Sequence, residues 1–360
     1  MPQKKRILII NPFGIGDVLF STPLIRNLRY YFPDSFIAVA VQRKIVPVLE
    51  NNPHINKIIP FSRGDFKQLS RESKINALKL LFRTIADIYR QRFNLYFDLS
   101  LEHRYSLLLK ILRIKPRIGY NYKKRGRFLT HKVDIEGYKN KHVTEYHLEL
   151  LRFLDLTPRF HNLELFLTFQ EKNWARSFLG ERGIKGKDLL IGMAPFGGET
   201  FGSQAKVKHW PIASYAALSD LLIDKLSAKI VILAGYKEKD GLNYLFSVMR
   251  NRAVDTTETS LMQLASIISY CRLVISNDTG PLRFANALDI PTISFFGPVD
   301  EKVYGPYPAN HKHVVLKKDF DCRPCYQHFR VPDCRYQLRC LKEITVDEVY
   351  EEAERLLKHG

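Results

Sequence analysis

Residues Leu273–Pro298 read LVISNDTGPLRFANALDIPTISFFGP. The apolar run Leu273–Ser276 has the length and composition of a buried strand. Asn277, Asp278, Thr279, Gly280 and Pro281 then make a helix start: capping-type side chains, a glycine, and a proline near the first helical position. The helix is expected to run to about Leu288 and to stop before Pro291. A second buried strand, Thr292–Phe296, ends at Gly297-Pro298. Strand, tight turn, helix and strand form one βαβ unit, and such units hold ligands at the carboxyl ends of their strands. That end here carries free backbone N–H groups and a helix N-terminus, which suit a diphosphate. Asp278 would repel a diphosphate, so it either caps the turn or accepts sugar hydroxyls.

Outward from this unit the same rhythm recurs. Arg6–Ile10 is a strand, Asn11–Asp17 a glycine loop, and a helix is expected from about Val18 to Tyr30 with Pro23 in its first turns. The loop contains G-x-G, but Leu19 stands where a dinucleotide fingerprint needs its third glycine, and the strand Phe36–Val41 runs into Gln42-Arg43 rather than an acidic ribose reader. NAD and FAD binding are therefore rejected. What remains is a loop that brings backbone close to a ligand at Gly14 and Gly16 and presents one carboxylate, Asp17, as a helix cap or as a base. Further helices are expected at Ile45–Leu49, Lys74–Ala86, Tyr105–Leu112, His142–Leu154 and Lys172–Arg182, and strands at Lys57–Ile59, Phe93–Leu99, Leu189–Met193 and Lys229–Ala234. A basic loop is expected to lead from Leu112 through Arg127. Alternating β and α segments argue for parallel doubly wound sheets, and 360 residues suffice for two of them. The boundary is expected within Asp155–Lys187. Thr345–Lys358 reads as an amphipathic helix with a Thr345/Glu348 capping box and Val349, Ala353 and Leu356 on one face.

The central stretch resembles the C-terminal motif of glycosyltransferase family 9, the ADP-heptose:lipopolysaccharide heptosyltransferases: S-N-D-S/T-G-P, an Ala-rich helix, P-T, then F-G-P. Ser276, Asn277, Asp278, Thr279, Gly280, Pro281, Ala285, Ala287, Pro291, Thr292, Phe296, Gly297 and Pro298 match it. Arg283 stands where the family usually has His; an Arg can reach a phosphate bidentately but cannot titrate near neutral pH. Near the other end, Gly14, Gly16, Asp17, Val18, Thr22 and Pro23 are similar to the family's N-terminal motif, whose Asp is the proposed catalytic base. Lys206-Val-Lys208-His-Trp210-Pro211 resembles a K-x-W-P segment carrying a phosphate-binding lysine; spacing to Trp210 selects Lys208, with Lys206 as substitute and Trp210 as a packing residue. The resemblance puts a ribose-binding Glu after the turn Gly235–Glu238, with Glu238 as the match and Asp240 as fallback.

The resemblance implies a GT-B fold: α/β, two Rossmann-like domains with parallel sheets facing a central cleft. Residues 1–170 would bind the acceptor and 171–344 the nucleotide sugar, with 345–360 a helix that in such proteins often crosses back to the first domain. It implies an inverting, metal-independent transfer of heptose from ADP-L-glycero-D-manno-heptose to a lipopolysaccharide inner-core acceptor. Asp17 would act as base, Asp278, Thr279 and Gly280 would sit at the donor, and Lys208 and Arg283 would take up diphosphate charge. No D-x-D metal motif stands in the expected setting, and no cofactor is expected. Three alternatives remain: another nucleotide sugar, a non-transferring GT-B enzyme such as a nucleotide-sugar epimerase, or an anionic-polymer-binding protein with a degenerate site.

Bulk properties fit an acidic partner. The chain is 45% hydrophobic and 26% charged with a net charge of +19. No nucleic-acid-binding motif is present, the denser patches at Tyr122–Arg127, Lys139–His142 and Lys312–Lys318 each read as solvated surface, and the overall excess favours an anionic membrane surface. No apolar run reaches membrane-spanning length and Ile7–Ile10 is too short for a signal peptide, so a cytoplasmic protein peripheral to the inner face of the inner membrane is expected. Of five cysteines, Cys271 reads as a core thiol. Cys322, Cys325, Cys334 and Cys340 cluster; a structural metal is one reading, but the loose second spacing and a reducing cytoplasm favour free or variably oxidised thiols.

Overall fold

The computed structural model describes residues 4–61 and 74–359. Two compact units are formed, Met1–Tyr138 with Val143–His161, and Lys139–His142 with Asn162–Gly360. In the first, β1 (Arg6–Asn11), β2 (Phe36–Gln42), β3 (Lys57–Phe61), β4 (Leu95–Asp98), β5 (Arg117–Tyr122) and β6 (His131–Ile135) form one sheet in the order β3-β2-β1-β4-β5-β6. In the second, β7 (Leu190–Ala194), β8 (Lys229–Ile232), β9 (Val254–Asp255), β10 (Leu273–Asn277), β11 (Thr292–Phe295) and β12 (His313–Leu316) follow the order β12-β11-β10-β7-β8-β9. Every ladder is parallel. The central strands are continuous apolar runs because helices cover both faces; Ile7, Leu8, Ile9, Val274 and Ile275 are fully buried. Each unit is Rossmann-like, and each reverses its strand order once: between β1 and β4, and between β7 and β10.

The expected helix after the glycine loop is two helices, Ile15–Phe20 and Thr22–Tyr31. Pro23 has no N–H for the Leu19 carbonyl, so the ladder breaks there. The Thr22 hydroxyl donates to that carbonyl at 2.7 Å and the Ser21 hydroxyl to Val18 O at 2.6 Å. The segment expected as a basic loop through Arg127 contains β5. Its Arg117 is buried in that strand, and the guanidinium donates to Phe128 O at 2.7 Å and Ile114 O at 2.6 Å. Similarly, β12 lies within the basic stretch Lys312–Lys318, whose lysines pair outward with Asp289, Glu301 and Glu348.

Trp210 is fully buried in the second core. It stacks on Phe295 at 4.6 Å, meets Tyr215 edge-on at 5.1 Å, and its indole N–H donates to Ile344 O at 2.9 Å. The helix Val346–His359 carries the Thr345/Glu348 capping box, and Val349, Ala353 and Leu356 join the same core. Among the described residues no helix is long and apolar enough to cross a membrane.

Candidate active site

The carboxyl ends of β7 and β10 meet at the second unit's switch point. β10 delivers Ser276, Asn277 and Asp278 there, and the helix Gly280–Ala287 starts directly after, with Thr279 at its cap and no side-chain cap bond. Asp278 therefore does not cap the turn. Its carboxylate, 6% exposed, lies between two cations: Lys208 Nζ at 2.6 Å from Oδ2, and the Arg283 guanidinium on Oδ1. Burial pushes this carboxyl up, but Lys208 and Arg283 together outweigh that and hold it below the usual carboxylate range. The three buried groups leave one net positive charge beside a helix N-terminus.

Each cation is itself positioned. Lys208 ends the 3-10 segment Glu199–Lys208, with its ammonium 3.9 Å from the Phe201 ring centroid. Arg283, on the second turn of the Gly280–Ala287 helix, also donates to Gly305 O at 3.2 Å. His142 meets the same carbonyl at 3.1 Å while stacked on Tyr307 at 4.5 Å. Asn277 ties the loops together, accepting from Trp210 N at 2.9 Å and donating to Pro195 O at 2.8 Å. After β7 the chain turns through Gly197 at φ +99; a Cβ there would sit 2.9 Å from the Thr279 Cβ, so glycine allows the two loops to touch. Lys206 is exposed, and Lys208 is the lysine brought to Asp278.

Glu238 lies past the carboxyl end of β8. Its carboxylate accepts from Gly235 N at 2.7 Å and shapes the turn; Asp240 is exposed. Of the residues selected from the sequence, Lys208, Asp278, Thr279, Gly280 and Arg283 thus come together in one cluster, with Glu238 on a neighbouring loop of the same sheet edge.

The first unit has its own loop at its switch point. Gly14 is the cap residue of the helix Ile15–Phe20, and Asp17 stands in its first turn, half-buried. Fully buried Asn11 donates to Asp17 O at 2.9 Å and fixes the loop's backbone. Beside it, Asp98 ends β4, paired in register with Ile10. Sequence reasoning does not select Asp98, which reads only as the end of a strand. Its carboxylate accepts from Ser100 N at 2.9 Å and from the Ser100 hydroxyl, and a Cβ at Gly119 would meet Asp98 O at 2.6 Å. Burial pushes the Asp98 carboxyl up to about 6. Burial also pushes the Tyr138 phenol well up, and the charges of Asp17 and Asp98 add to that rise, so the phenol lies in the field of both.

Asp98→Asn is expected to stabilise the first unit at pH 8 by about 2–3 kcal/mol. The folded value lies above the unfolded one near 3.9, so protonation favours the folded chain and that stability is lost as pH rises through about 6. Melting curves of both proteins at pH 8 should differ and near pH 4 should converge; a gap independent of pH would remove the ionised carboxyl as its cause.

All five cysteines are free thiols, and Cys271 is buried as expected. Cys322, Cys325, Cys334 and Cys340 line one small cavity, with Cys340 pushed up to about 11 chiefly by burial. Among the described residues no group of three or more His, Cys, Asp or Glu is arranged to hold a metal ion.

This geometry has relatives. The profile of glycosyltransferase family 9 (heptosyltransferase) matches residues 81–333. Lipooligosaccharide heptosyltransferase 2 of Campylobacter jejuni is 23% identical over 362 aligned residues, covering 99% of each chain. The family 9 glycosyltransferase structure from Veillonella parvula superposes with a TM-score of 0.83 at 23% identity, covering 100% of this chain and 99% of its own. The ADP-heptose heptosyltransferase II structure of Escherichia coli does so with a TM-score of 0.76 at 22% identity, covering 98% and 99%. The fold is GT-B, and the chain belongs to glycosyltransferase family 9, the heptosyltransferases.

Proposed function

We propose that this glycosyltransferase moves heptose from ADP-L-glycero-D-manno-heptose to an inner-core sugar of lipopolysaccharide, with inversion and with no obligatory metal, at the cytoplasmic face of the inner membrane. The observation that carries this reading is the buried pair of cations, Lys208 and Arg283, on one carboxylate beside a helix N-terminus. Such a site can receive the diphosphate and stabilise the departing ADP, the work a divalent ion does elsewhere. On the diphosphate's arrival the two cations would share their charge between Asp278 and phosphate, while the Thr279 and Gly280 amides take the remaining oxygens. Asp278 would then be placed to accept a sugar hydroxyl. Asp17 would take the proton from the attacking hydroxyl, and Gly14 and Gly16 would let acceptor approach the backbone. A single base on the attacking side corresponds to inversion.

A donor screen tests the reading. Purified protein is given ADP-heptose and hexose donors on ADP, UDP and GDP, with heptose-free lipopolysaccharide as acceptor. Release of ADP from ADP-heptose only, dependent on acceptor, is expected, with the anomeric configuration of the product opposite to that of the donor. Release of a different nucleotide, or a retained configuration, would overturn it.

Glu238→Ala is expected to weaken ADP binding by about 10- to 100-fold, the loss of a charged hydrogen bond to the ribose, with a smaller effect on kcat. Calorimetric titration of ADP checks this; an unchanged affinity would move the ribose contact to Asp240.

A further inference from the structure

The helix Lys74–Arg90 packs on the first sheet through Ile88, which is buried with Leu8 and Ile10 of β1 and Tyr96 of β4. Its exposed side is not uniformly polar. Ile75 is 68% exposed, Phe82 61% and Tyr89 67%. These residues are seven apart, and at about 100° per residue each step drifts by only about 20°, so the three form one stripe along the helix. Lys79, Arg83 and Arg90 are exposed and fall along one flank of that stripe. Arg90 makes a loose surface pair with Asp87 at 3.7 Å. The next helix, His103–Ile111, packs on the same core cluster through Leu109 and repeats the arrangement: Leu107 and Ile111 are exposed, with Arg104 and Lys110 beside them.

A soluble helix normally keeps large apolar side chains out of water, yet three stand exposed here on one shoulder of the helix, beside the outermost cations. An apolar stripe bordered by cations matches a membrane interface, where aromatic and aliphatic groups enter the acyl boundary and Lys and Arg remain among anionic headgroups. A protein partner is the less fitting occupant, because charged residues are depleted at the core of protein interfaces and the cations here lie along the whole stripe. The net charge of +19 supports the same partner.

We propose that the Ile75–Phe82–Tyr89 stripe of helix Lys74–Arg90, with Lys79, Arg83 and Arg90, docks the first unit onto an anionic bilayer. This deepens the proposed function, resting on it for a membrane-resident acceptor, and supplies the surface that holds the enzyme where that acceptor lies.

The test is co-sedimentation of the full chain with vesicles of phosphatidylethanolamine and phosphatidylglycerol, and with phosphatidylcholine vesicles as the neutral comparison. Binding to the anionic vesicles is expected, falling with salt. Ile75→Ser with Phe82→Ser and Tyr89→Ser should lower it at least tenfold. Lys79→Ala and Arg83→Ala should each lower it about fivefold, the effect of one cation at an anionic surface. Release of ADP with a delipidated, soluble acceptor should be unchanged in all of them. Sedimentation of the triple variant like the parent, or equal binding to neutral vesicles, would overturn the proposal. A concentration-dependent dimer that the triple variant abolishes would also overturn it, by giving the stripe to a second copy. The vesicle measurement needs no turnover: binding without transfer would count against the proposed reaction and leave the docking surface standing, and transfer without binding would do the reverse.

Discussion

Asp278→Ala is expected to destabilise the second unit by about 3–5 kcal/mol, the usual cost of removing one partner from a buried ion pair. Lys208 and Arg283 would both remain, at 8% and 4% exposure, without the carboxylate that offsets their desolvation. For a unit of this size that corresponds to a fall in melting temperature of about 6–20 °C. The prediction has a pH signature. The Asp278 carboxyl is held below its unfolded value, so its contribution is complete above the ordinary carboxylate range and is lost as pH falls through the folded value. The gap between parent and variant should therefore be widest at neutral pH and close in acid. Replacing the whole triad by apolar residues, Lys208→Met with Asp278→Leu and Arg283→Met, should restore much of the stability while abolishing ADP binding, because no buried charge is then left alone. A parent-like melting temperature for Asp278→Ala would mean that the cations reach solvent and that the triad is not a closed electrostatic unit.

The triad also shows what a linear reading can and cannot see. The residue types around Asp278 announce a strand–helix junction because apolar run, capping side chains, Gly280 and Pro281 are local signals, and the junction forms where they stand. The partners of Asp278 are not legible. Lys208 lies 70 positions away, and only the pairing of β7 beside β10 brings its loop to that point. From the sequence, a lysine and an arginine are each assigned to phosphate and the carboxylate is a repulsive neighbour, whereas burial makes it the group that holds both cations in place. Asp98 escapes notice for the same reason. Its raised titration and its position next to the Asp17 loop come from β4 lying against β1, a long-range pairing. Charge misleads at β5, where a basic segment reads as loop but Arg117 spends its guanidinium on internal carbonyls. The break at Ser21 is not read from the sequence, where Pro23 stands within the first turns of one expected helix, and the rescue of the Leu19 carbonyl by the Thr22 hydroxyl needs the folded turn.

Asp17→Asn is expected to lower kcat by about 10²–10⁴-fold, the range for loss of a general base, with ADP affinity unchanged. The substitution conserves volume and removes the proton acceptor. The backbone of this loop is held by other groups and should stay in place. The helix Ile15–Phe20 starts at Gly14, whose place at the cap does not change with the substitution. The loop is fixed instead by Asn11, which donates to the backbone carbonyl of Asp17 at 2.9 Å and to the Ser21 hydroxyl at 3.4 Å; neither contact involves the side chain being changed. The side chain is half-buried, so an amide can be hydrated. The nucleotide is assigned to the other unit's triad, so a catalytic role predicts a loss confined to kcat, whereas a binding role would raise the acceptor KM at constant kcat. Steady-state kinetics with both substrates varied, together with ADP titration, separate the two. A variant that turns over at the parent rate would take Asp17 out of the chemistry and make Asp98, the second carboxylate at that switch point, the next base to remove.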